Sequence, residues 1–532
     1  MALPPSFLTL GAVALVLSVL FKLFFQSRSK LPPPDGPPTL PIIGNLHQIP
    51  KTGAHRKFTE WAKTYGGIFS LKLGPSLAVV ITDRRLVKEL MDKKSSMYSA
   101  RPPSYVSHDL ITKGDHLLVM NYGASWRTFR RTMHQFFNEG VCDKQHISLV
   151  EAETTQMLRD FLDRPEKHMV HTKRTSNSII MSLVFGVRTE SDQTPHMKEL
   201  YSVMDKWSEI MEVGATPPVD IFPFLKLLPE SWLGNWIQRS LDVGTRMKTL
   251  YSSAQTVVST RRRQHGTTNT FMDQVLDQQD KLNLTPNQLD FIGGVLMEGG
   301  SDTVSTMMLV IIQALALNPH IQARAQAEID AVCTDAASPT WSHYAQLPYI
   351  TSIIKEAIRW RPVTPLAFPH ALSQDDVIDG KFLPAGTTVL LNVWGLHHDP
   401  SRFPDPDKFD PSRFANQTKL AAEYAASPDY DNRDHYLYGA GRRICPGIHL
   451  AEREMFIAAS KLLWGFEFAQ QRDAEGRLVP IDTDPLTGYT EGFLVCPKAF
   501  ACKVTPRSEA RAATIRREFG VAEREVLSRY RG

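Results

Sequence analysis

A single cysteine in a glycine-rich loop constrains this chain more than any other feature. The loop spans residues 438–447 and reads YGAGRRICPG. Gly439 and Gly441 allow the backbone to approach a flat ligand, because neither residue carries a Cβ. Pro446 suits the first turn of a helix, and mostly apolar residues follow it. The pattern therefore predicts that Cys445 is presented at a helix N-terminus, beside a closely fitting ligand.

The surroundings of Cys445 favour a metal ligand over an inert thiol. A lone cysteine is usually a small core residue, so its neighbours must decide. A helix N-terminus and free loop N–H groups favour the thiolate over the thiol. A thiolate is a strong axial ligand for haem iron. We therefore predict that Cys445 binds haem iron and that Arg443, two residues earlier, pairs with a haem propionate.

The ten residues of this loop resemble the haem-binding signature of the cytochrome P-450 family, FGxGRRxCPG, with Tyr438 where Phe is usual. The change keeps an aromatic ring against the thiolate side of the haem and adds a hydroxyl. The resemblance covers roughly residues 31–505 and includes four motifs in the family order. It implies a mainly α fold with small β-sheets, preceded by a single N-terminal transmembrane helix, and a haem b cofactor.

The composition excludes several other classes of protein. The 532 residues are 42% hydrophobic and 22% charged, which is ordinary for a globular protein. The net charge of +4, from 60 basic and 56 acidic residues, is too balanced to indicate nucleic-acid binding. The five cysteines have neither CxxC nor Cys/His spacing, so they indicate neither a disulfide framework nor a zinc site. A reducing compartment fits this pattern.

The N-terminal segment reads as a membrane anchor. Residues 7–25 are almost entirely apolar, with Lys22 near the end of the run. Nineteen residues of helix span about 28 Å, close to the thickness of a bilayer core. A cleaved signal peptide is the alternative, but no small-residue cleavage site follows the run and no charge precedes it. Arg28 and Lys30 after the run favour a cytoplasmic location for the remainder.

Four segments are predicted along the chain. Residues 1–30 form the anchor, which by resemblance to microsomal members lies in the endoplasmic reticulum membrane. Residues 31–50 form a stiff, extended, proline-rich hinge. Residues 51–505 form the catalytic domain, and 506–532 form a charged, solvated and partly helical tail. Within the catalytic domain, residues 69–73 and 78–81 predict a β-hairpin, and 493–495 and 500–504 predict closing strands.

A long central helix is predicted from residue 285 to about residue 318. Thr285 and Gln288 match a capping box, and Pro286 suits the first helical position. The run from 307 to 317 is apolar on nearly every face, which indicates a buried helix. Gly299 and Gly300 lie in the middle of the helix, before this run, although a glycine inside a helix costs about 1 kcal/mol relative to Ala. The pair indicates either tight helix packing or a local opening with room for O₂.

This interruption resembles the oxygen-activation motif (A/G)GxDT of the cytochrome P-450 family. The motif is matched by Gly299, Gly300, Asp302 and Thr303. A bond from Thr303 back to a carbonyl one turn earlier would widen the opening. The resemblance implies that Thr303 donates a hydrogen bond to the outer oxygen and that Asp302 gates proton entry from solvent. An intact acid–alcohol pair favours oxygen activation over rearrangement chemistry.

Three further residues are candidate ligands of the haem periphery. Trp126 and Arg130 lie four residues apart and share a helical face, which is also common for an amphipathic surface pair. The family pattern WxxxR implies that both bind propionates, and both side chains are good donors to carboxylates. His370 fits either a satisfied core histidine or, by its family position, a propionate ligand. A contact with a propionate is also expected of Arg101, on less evidence.

Glu356 and Arg359 are predicted to have a structural role. Their i, i+3 spacing alone is common and contributes only about 0.2–0.5 kcal/mol. At this distance before the cysteine loop they resemble the ExxR motif of the family, and Arg413 fits the third member. The resemblance implies a buried network that braces the haem-binding core.

The resemblance also implies the reaction and its partners. The expected enzyme is a monooxygenase that inserts one atom of O₂ into a small lipophilic substrate, resembling members that tailor fungal secondary metabolites. No fused nucleotide-binding motif is found, so electrons must come from NADPH through a separate reductase, docked near Arg442. The alternatives are oxidative coupling, desaturation or rearrangement at the same haem, and a membrane-tethered haem protein that binds a ligand without turnover.

Two loops are expected to border the substrate pocket. Residues 95–123 would form its roof. Residues 214–224 break the helical pattern with apolar side chains. By analogy this second loop is a lid that dips into the membrane, and the alternative is a buried apolar loop.

Overall fold

Long α-helices make up most of the protein. The computed structural model describes residues 31–212 and 214–530, so the predicted anchor, residues 1–30, lies outside the described part. The α-helices of at least seven residues are α1 (Ala54–Tyr65), α2 (Ala124–Phe137), α3 (Ile147–Asp163), α4 (His168–Phe185), α5 (Pro195–Met211), α6 (Trp236–His265), α7 (Phe271–Asp277), α8 (Pro286–Leu317), α9 (Pro319–Val332), α10 (Pro348–Trp360), α11 (Ile448–Gly465) and α12 (Glu509–Glu525).

Helix α8 is the central helix that the sequence predicts. The Thr285 side chain accepts from the Gln288 N–H, and the Gln288 side chain accepts from the Thr285 N–H, both at 3.2 Å. This capping box is confirmed. By length and composition α8 is the one helix among the described residues that could cross a membrane. However, 78% of its most apolar stretch is buried inside the protein, so its hydrophobicity reflects a position in the core.

Among the described residues, the strands form one four-stranded sheet and two small pairs. The strands are β1 (Ile68–Leu73), β2 (Ser76–Ile81), β3 (His370–Ala371), β4 (Asp376–Ile378), β5 (Lys381–Leu383), β6 (Thr388–Leu391), β7 (Phe466–Gln470) and β8 (Cys502–Pro506). The larger sheet has the order β1-β2-β6-β3, in which β2 and β6 are parallel. The predicted hairpin is confirmed as β1 and β2, with Leu73 opposite Ser76 at the turn.

Residues 31–50 are attached to the four-stranded sheet and to the β4–β5 pair. The Ser70 N–H donates to the carbonyl of Asp35 at 2.9 Å, and the Phe382 N–H donates to the carbonyl of Pro32 at 2.8 Å. The Asp35 carboxylate pairs with Lys381 at 3.1 Å. The proline-rich segment is therefore held against β1 and β5 along part of its length.

The strand predicted at residues 493–495 is wrong, and the final strand lies slightly later than predicted. Phe493 and Leu494 line the central cavity, and the Val495 N–H donates to the carbonyl of Val363 at 2.8 Å. Their side chains are apolar because they face a cavity, not because they belong to a sheet. Strand β8 begins at Cys502 and pairs antiparallel with β7.

The C-terminal segment is helical as predicted, and one face of it is packed against the domain while the opposite face is exposed. Ile515 on α12 is fully buried. Arg511 pairs with Asp330 at 2.8 Å and with Asp335 at 2.5 Å, and its guanidinium lies 5.4 Å from the ring centroid of Trp464. The charges look solvated in the sequence because their partners lie about 180 residues away.

Candidate active site

A cavity of about 290 Å³ lies between α8 and the cysteine loop. Most of its wall is apolar. The cavity is lined by eight of the residues that the sequence singles out as candidate site residues: Gly299, Gly300, Thr303, His370, Tyr438, Gly439, Arg443 and Cys445. The motifs at 299–303 and 438–447 are therefore brought together, although they are more than 130 residues apart.

The two glycines of the cysteine loop serve different purposes. Both have positive φ, +74° at Gly439 and +66° at Gly441, a region that L side chains rarely adopt. A Cβ at Gly439 would meet nothing within 4 Å, in agreement with an approach to a ligand. A Cβ at Gly441 would instead collide with the carbonyl oxygen of Met91, and Gly441 does not line the cavity. A ligand contact at Gly441 stays a prediction, and what the structure shows at this glycine is close packing against protein backbone.

Cys445 lies just before α11, as the sequence predicts. Burial raises the pKa of its thiol, and the Gly447 N–H and the Arg130 charge act in the opposite direction without cancelling that rise. The sequence suggested that the loop N–H groups and the helix end favour the thiolate. They do not do so by themselves, because burial raises the pKa of the thiol more than these groups lower it. Metal binding requires and stabilises the deprotonated form, so a bound iron would supply the missing positive charge.

A cluster of half-buried cations lies beside Cys445. Burial lowers the pKa of Arg101, Arg130 and Arg443, and the Arg130 charge helps to lower that of Arg443 to about 10. Within the described residues, none of the three forms an ion pair with a carboxylate. Uncompensated buried charges are costly. The cluster therefore fits a ligand with two negative charges, as the two propionates of haem would supply.

The remaining polar contacts of this cluster are compatible with haem. His370 Nδ1 lies 2.6 Å from the carbonyl of Tyr98, and burial followed by the Arg101 charge lowers the pKa of His370 to about 3. A neutral ring whose Nδ1–H donates to that carbonyl leaves Nε2 free as an acceptor. Arg101 contacts the same region through the carbonyls of Phe368 and Pro369, at 3.1 and 2.7 Å. The residues present therefore fit the cofactor.

Trp126 and Arg130 lie on α2, behind the cavity wall. Trp126 is only 4% exposed, so the alternative of a surface pair does not hold for it. The guanidinium of Arg443 lies 5.0 Å from the centroid of its ring, within the range of a cation–π contact. Neither Trp126 nor Arg130 belongs to the cavity lining itself.

The sequence left two interpretations of the glycine pair in α8, a local opening and tight helix packing, and each holds for one of the two glycines. A Cβ at Gly299 would meet nothing within 4 Å, which indicates an opening on the cavity side. A Cβ at Gly300 would lie 2.6 Å from the side chain of Ile180 on α4, which indicates tight helix packing. The predicted back-bond is confirmed, because Thr303 Oγ1 donates to the carbonyl of Gly299 at 2.8 Å.

Asp302 does not line the cavity, unlike its neighbour Thr303. Burial raises the pKa of its carboxyl, Lys173 on α4 lowers it and Asp205 on α5 raises it. Asp302 Oδ1 has no hydrogen-bond partner among the described groups. The acid and the alcohol of the motif are therefore adjacent in sequence but lie in different surroundings.

Glu356 and Arg359 form the predicted buried brace on α10. Arg359 Nε lies 2.6 Å from Glu356 Oε2, and Nη2 lies 2.8 Å from Oε1, a bidentate pair with both side chains fully buried. Arg413 approaches the same carboxylate at 3.5 Å. Arg359 also donates to the carbonyls of His397 at 3.1 Å and Pro406 at 2.9 Å, which ties α10 to the segment that precedes the cysteine loop.

The sequence motifs do not predict one buried pair at the cavity, Glu298 and His116. Glu298 lines the cavity and lies 3.0 Å from Nε2 of His116 in the roof loop. The signal in the sequence is an acidic residue inside an otherwise apolar buried helix, a position that carboxylates rarely occupy. His116 carries no such signal, because loop histidines are common.

Comparisons with known proteins agree with this geometry. The family profile described as Cytochrome P-450 matches residues 34–490. The chain is 60% identical over 529 residues to cytochrome P-450 monooxygenase macC of Penicillium terrestre, covering 98% of this chain and 99% of that protein. It is 61% identical over 526 residues to cytochrome P-450 monooxygenase yanC of Aspergillus niger, covering 98% of both chains.

Solved structures show the same fold. A zebrafish cytochrome P-450 determined with abiraterone has a TM-score of 0.66 at 25% sequence identity, covering 85% of this chain and 100% of that chain. A second zebrafish structure, with progesterone, has a TM-score of 0.67 at 24% identity, covering 85% and 99%. The described residues are thus mainly helical with small sheets, in the arrangement seen in those proteins.

Proposed function

Because this chain belongs to the cytochrome P-450 family, we propose that it is a haem-thiolate monooxygenase that oxidises a small lipophilic substrate in fungal secondary metabolism. The observation that carries the proposal is one cavity lined by Cys445, buried arginines and Thr303. These groups supply an iron ligand, partners for propionates and a hydroxyl at the wall. The mostly apolar lining supports a lipophilic substrate, and the relatives macC and yanC are fungal monooxygenases.

Each of these residues has a distinct role in the proposal. When bound, haem b supplies the activation of O₂. Cys445 would ligate its iron, while Trp126, Arg130, His370 and Arg443, with Arg101, would hold its propionates. Gly299 leaves space at the wall. A hydroxyl both donates and accepts, so Thr303 can hold a water at the cavity wall while it donates to Gly299. Asp302, on the neighbouring surface of α8, would bring protons to that water.

Electrons would come from NADPH through a separate reductase that binds the face behind Cys445. Arg127 and Arg442 lie on this face and share one aromatic ring. Their guanidinium groups are 5.7 and 5.3 Å from the centroid of Tyr122. Arg131 is also exposed on α2. Such a patch of fixed positive charge suits an acidic protein partner.

The test is a labelled-oxygen assay on membranes that contain this protein and a reductase, supplied with NADPH and a host metabolite extract as the source of substrate. We expect a product that gains one oxygen atom from isotopically heavy O₂. In the variant Thr303→Ala, we expect NADPH and O₂ consumption to continue while labelled product falls at least about tenfold, because proton delivery is impaired. The matched control is Thr303→Ser, which keeps the hydroxyl and is expected to retain most of the product.

Other outcomes of this assay separate the alternatives. A product that has lost hydrogens and carries no label would indicate desaturation or coupling. Substrate binding without any O₂ consumption would indicate a ligand-binding haem protein. If Thr303→Ala and the parent enzyme form the same amount of labelled product per NADPH consumed, Thr303 has no role in proton delivery.

The proposed location is the endoplasmic reticulum membrane, with residues 1–30 as a single-pass anchor and the catalytic domain in the cytoplasm. In support, the lid predicted to dip into the membrane ends in an exposed apolar residue, Phe224 (60% exposed), and two more follow it, Leu227 (85%) and Trp232 (76%). Ile42, near the start of the described chain, is 82% exposed. The two regions adjoin, because Gly74 contacts both the Ile43 carbonyl and the side chain of Ile221. Such a patch suits a lipid surface.

A fluorescent label tests this orientation in the full-length protein. A cysteine at Leu227, modified with an environment-sensitive dye, is expected to shift to shorter emission wavelengths when the protein is reconstituted into phosphatidylcholine vesicles. The same label at Val521→Cys, on the exposed face of α12, is expected to remain unchanged. Equal emission from the Leu227→Cys protein in vesicles and in detergent-free buffer would contradict the proposed contact.

A further inference from the structure

Glu298 and His116 form a buried polar pair at the wall of the cavity, and the roles assigned above do not use it. Their side chains are 6% and 0% exposed, and His116 Nε2 lies 3.0 Å from Glu298 Oε2. A buried carboxylate is rare unless it is paired, bound to a metal or functional. Among the described residues no cluster of metal-ligating groups is present. The pair therefore calls for a role other than metal binding.

The contacts of His116 show which atom donates. The Leu118 N–H donates to His116 Nδ1 at 3.2 Å, so Nδ1 is an acceptor. In a neutral ring, Nε2 then carries the hydrogen and donates to Glu298. The ring is held in place by edge contacts with Trp207 and Phe291, with centroids 4.8 and 6.2 Å away. Glu298 is thus an acceptor, oriented by a rigid donor.

The second oxygen of Glu298 has no partner. Oε1 is shut off from solvent and accepts no hydrogen bond from any described group. Glu454, the other carboxyl group in the lining, is engaged, because Ser176 Oγ donates to its Oε1 at 2.5 Å. A buried acceptor without a donor costs free energy, which a donor supplied by a ligand would recover.

The rest of this part of the wall offers no competing polar group. The residues of α8 around Glu298 that line the cavity are apolar or glycine: Val295, Leu296, Gly299 and Gly300. Leu117 and Leu118 of the roof loop and Trp207 of α5 complete it. A substrate in contact with this wall would therefore find hydrophobic surface and one hydrogen-bond acceptor.

We propose that Glu298 determines specificity by accepting a hydrogen bond from a hydroxyl group of the substrate, with His116 as its positioning residue. The preferred substrates are neutral alcohols or phenols on an apolar skeleton. A substrate ammonium is disfavoured, because moving its charge from water into a mostly apolar cavity costs free energy. This proposal rests on the proposed function only in that the substrate occupies this cavity.

The test compares matched hydroxyl and methyl-ether compounds. The pairs are 4-ethylphenol with 4-ethylanisole, 2-naphthol with 2-methoxynaphthalene, and 4-phenylcyclohexanol with its methyl ether. Binding to the full-length haem-loaded protein is measured by equilibrium dialysis, and the optical change of the haem is recorded in parallel. In Glu298→Gln, the preference for the hydroxyl member is expected to fall at least about tenfold, because the amide keeps the His116 contact and turns an N–H₂ group to the cavity.

Two controls keep the result interpretable. Glu328→Gln removes a carboxylate outside the cavity lining and is expected to keep the preference of the parent protein. Glu298→Gln must bind the methyl ethers as the parent does, which shows an intact cavity. A hydroxyl preference that survives in Glu298→Gln overturns the proposal. So does a parent protein that binds no hydroxyl compound of the panel.

The outcome is independent of turnover. Dialysis requires neither reductase nor NADPH, so a protein that forms no labelled product can still show or lack the preference. Conversely, labelled product from a protein without hydroxyl preference would sustain the monooxygenase and remove Glu298 as its specificity determinant.

Discussion

Replacement of Cys445 by Ser is expected to abolish the ferrous–CO absorption that marks a thiolate ligand, and to reduce labelled product to background. A serine hydroxyl is a much weaker donor to iron than a thiolate, and it cannot push electron density toward O–O cleavage. The absorption spectrum of reduced, CO-treated membranes measures the first effect directly. Mass spectrometry in heavy O₂ measures the second.

The matched control for Cys445→Ser is Cys496→Ser. Cys496 is half-buried, like Cys445, but it lies outside the cavity lining. This control is expected to retain the thiolate absorption at its usual position. Retention of that absorption in Cys445→Ser would assign the iron to another ligand.

Replacement of Glu356 by Ala is expected to lower the free energy of unfolding by about 3–5 kcal/mol, or to prevent accumulation of holoprotein. The reason is the fully buried guanidinium of Arg359, which would lose its bidentate partner and remain uncompensated. Chemical denaturation followed by haem absorption, together with the yield of haem-loaded protein, measures the effect.

An exposed pair of the same spacing provides the control for this prediction. Lys57 and Glu60 lie three residues apart on α1, 2.9 Å from each other, with side chains 40% and 64% exposed. Because solvent screens such a pair, Glu60→Ala is expected to cost no more than about 1 kcal/mol. Equal losses in Glu356→Ala and Glu60→Ala would contradict the bracing role of the buried pair.

Local patterns predicted the elements that local interactions decide. The capping box of Thr285 and Gln288, the hairpin at 68–81 and the helix that follows Cys445 each depend on residues within a few positions of one another. The resemblance of short motifs then predicted which distant segments meet at the cavity. This prediction needed no geometric information, because motifs in this order and at this spacing are typical of one fold.

The sequence failed where a partner far along the chain decides the outcome. The run at 493–495 reads as a strand, but the side chains of Phe493 and Leu494 face a cavity. The close packing of Gly441 against the Met91 carbonyl could not be predicted either, because Met91 lies far away in the sequence. The Glu298–His116 pair joins residues 182 positions apart, and the sequence around either residue gives no indication of its partner. These features depend on tertiary packing, which overrides local preference.

The parallel pairing of β2 with β6 also sets an order of events during synthesis. Ala78 pairs with Thr388, so β2 emerges from the ribosome about 300 residues before its partner exists. At typical elongation rates the delay is roughly 15–60 s. During that time the β1–β2 hairpin presents an unpaired apolar edge, the kind of surface that templates aggregation. The sheet that carries His370 is therefore completed late, and the nascent chain needs that edge covered until β6 arrives.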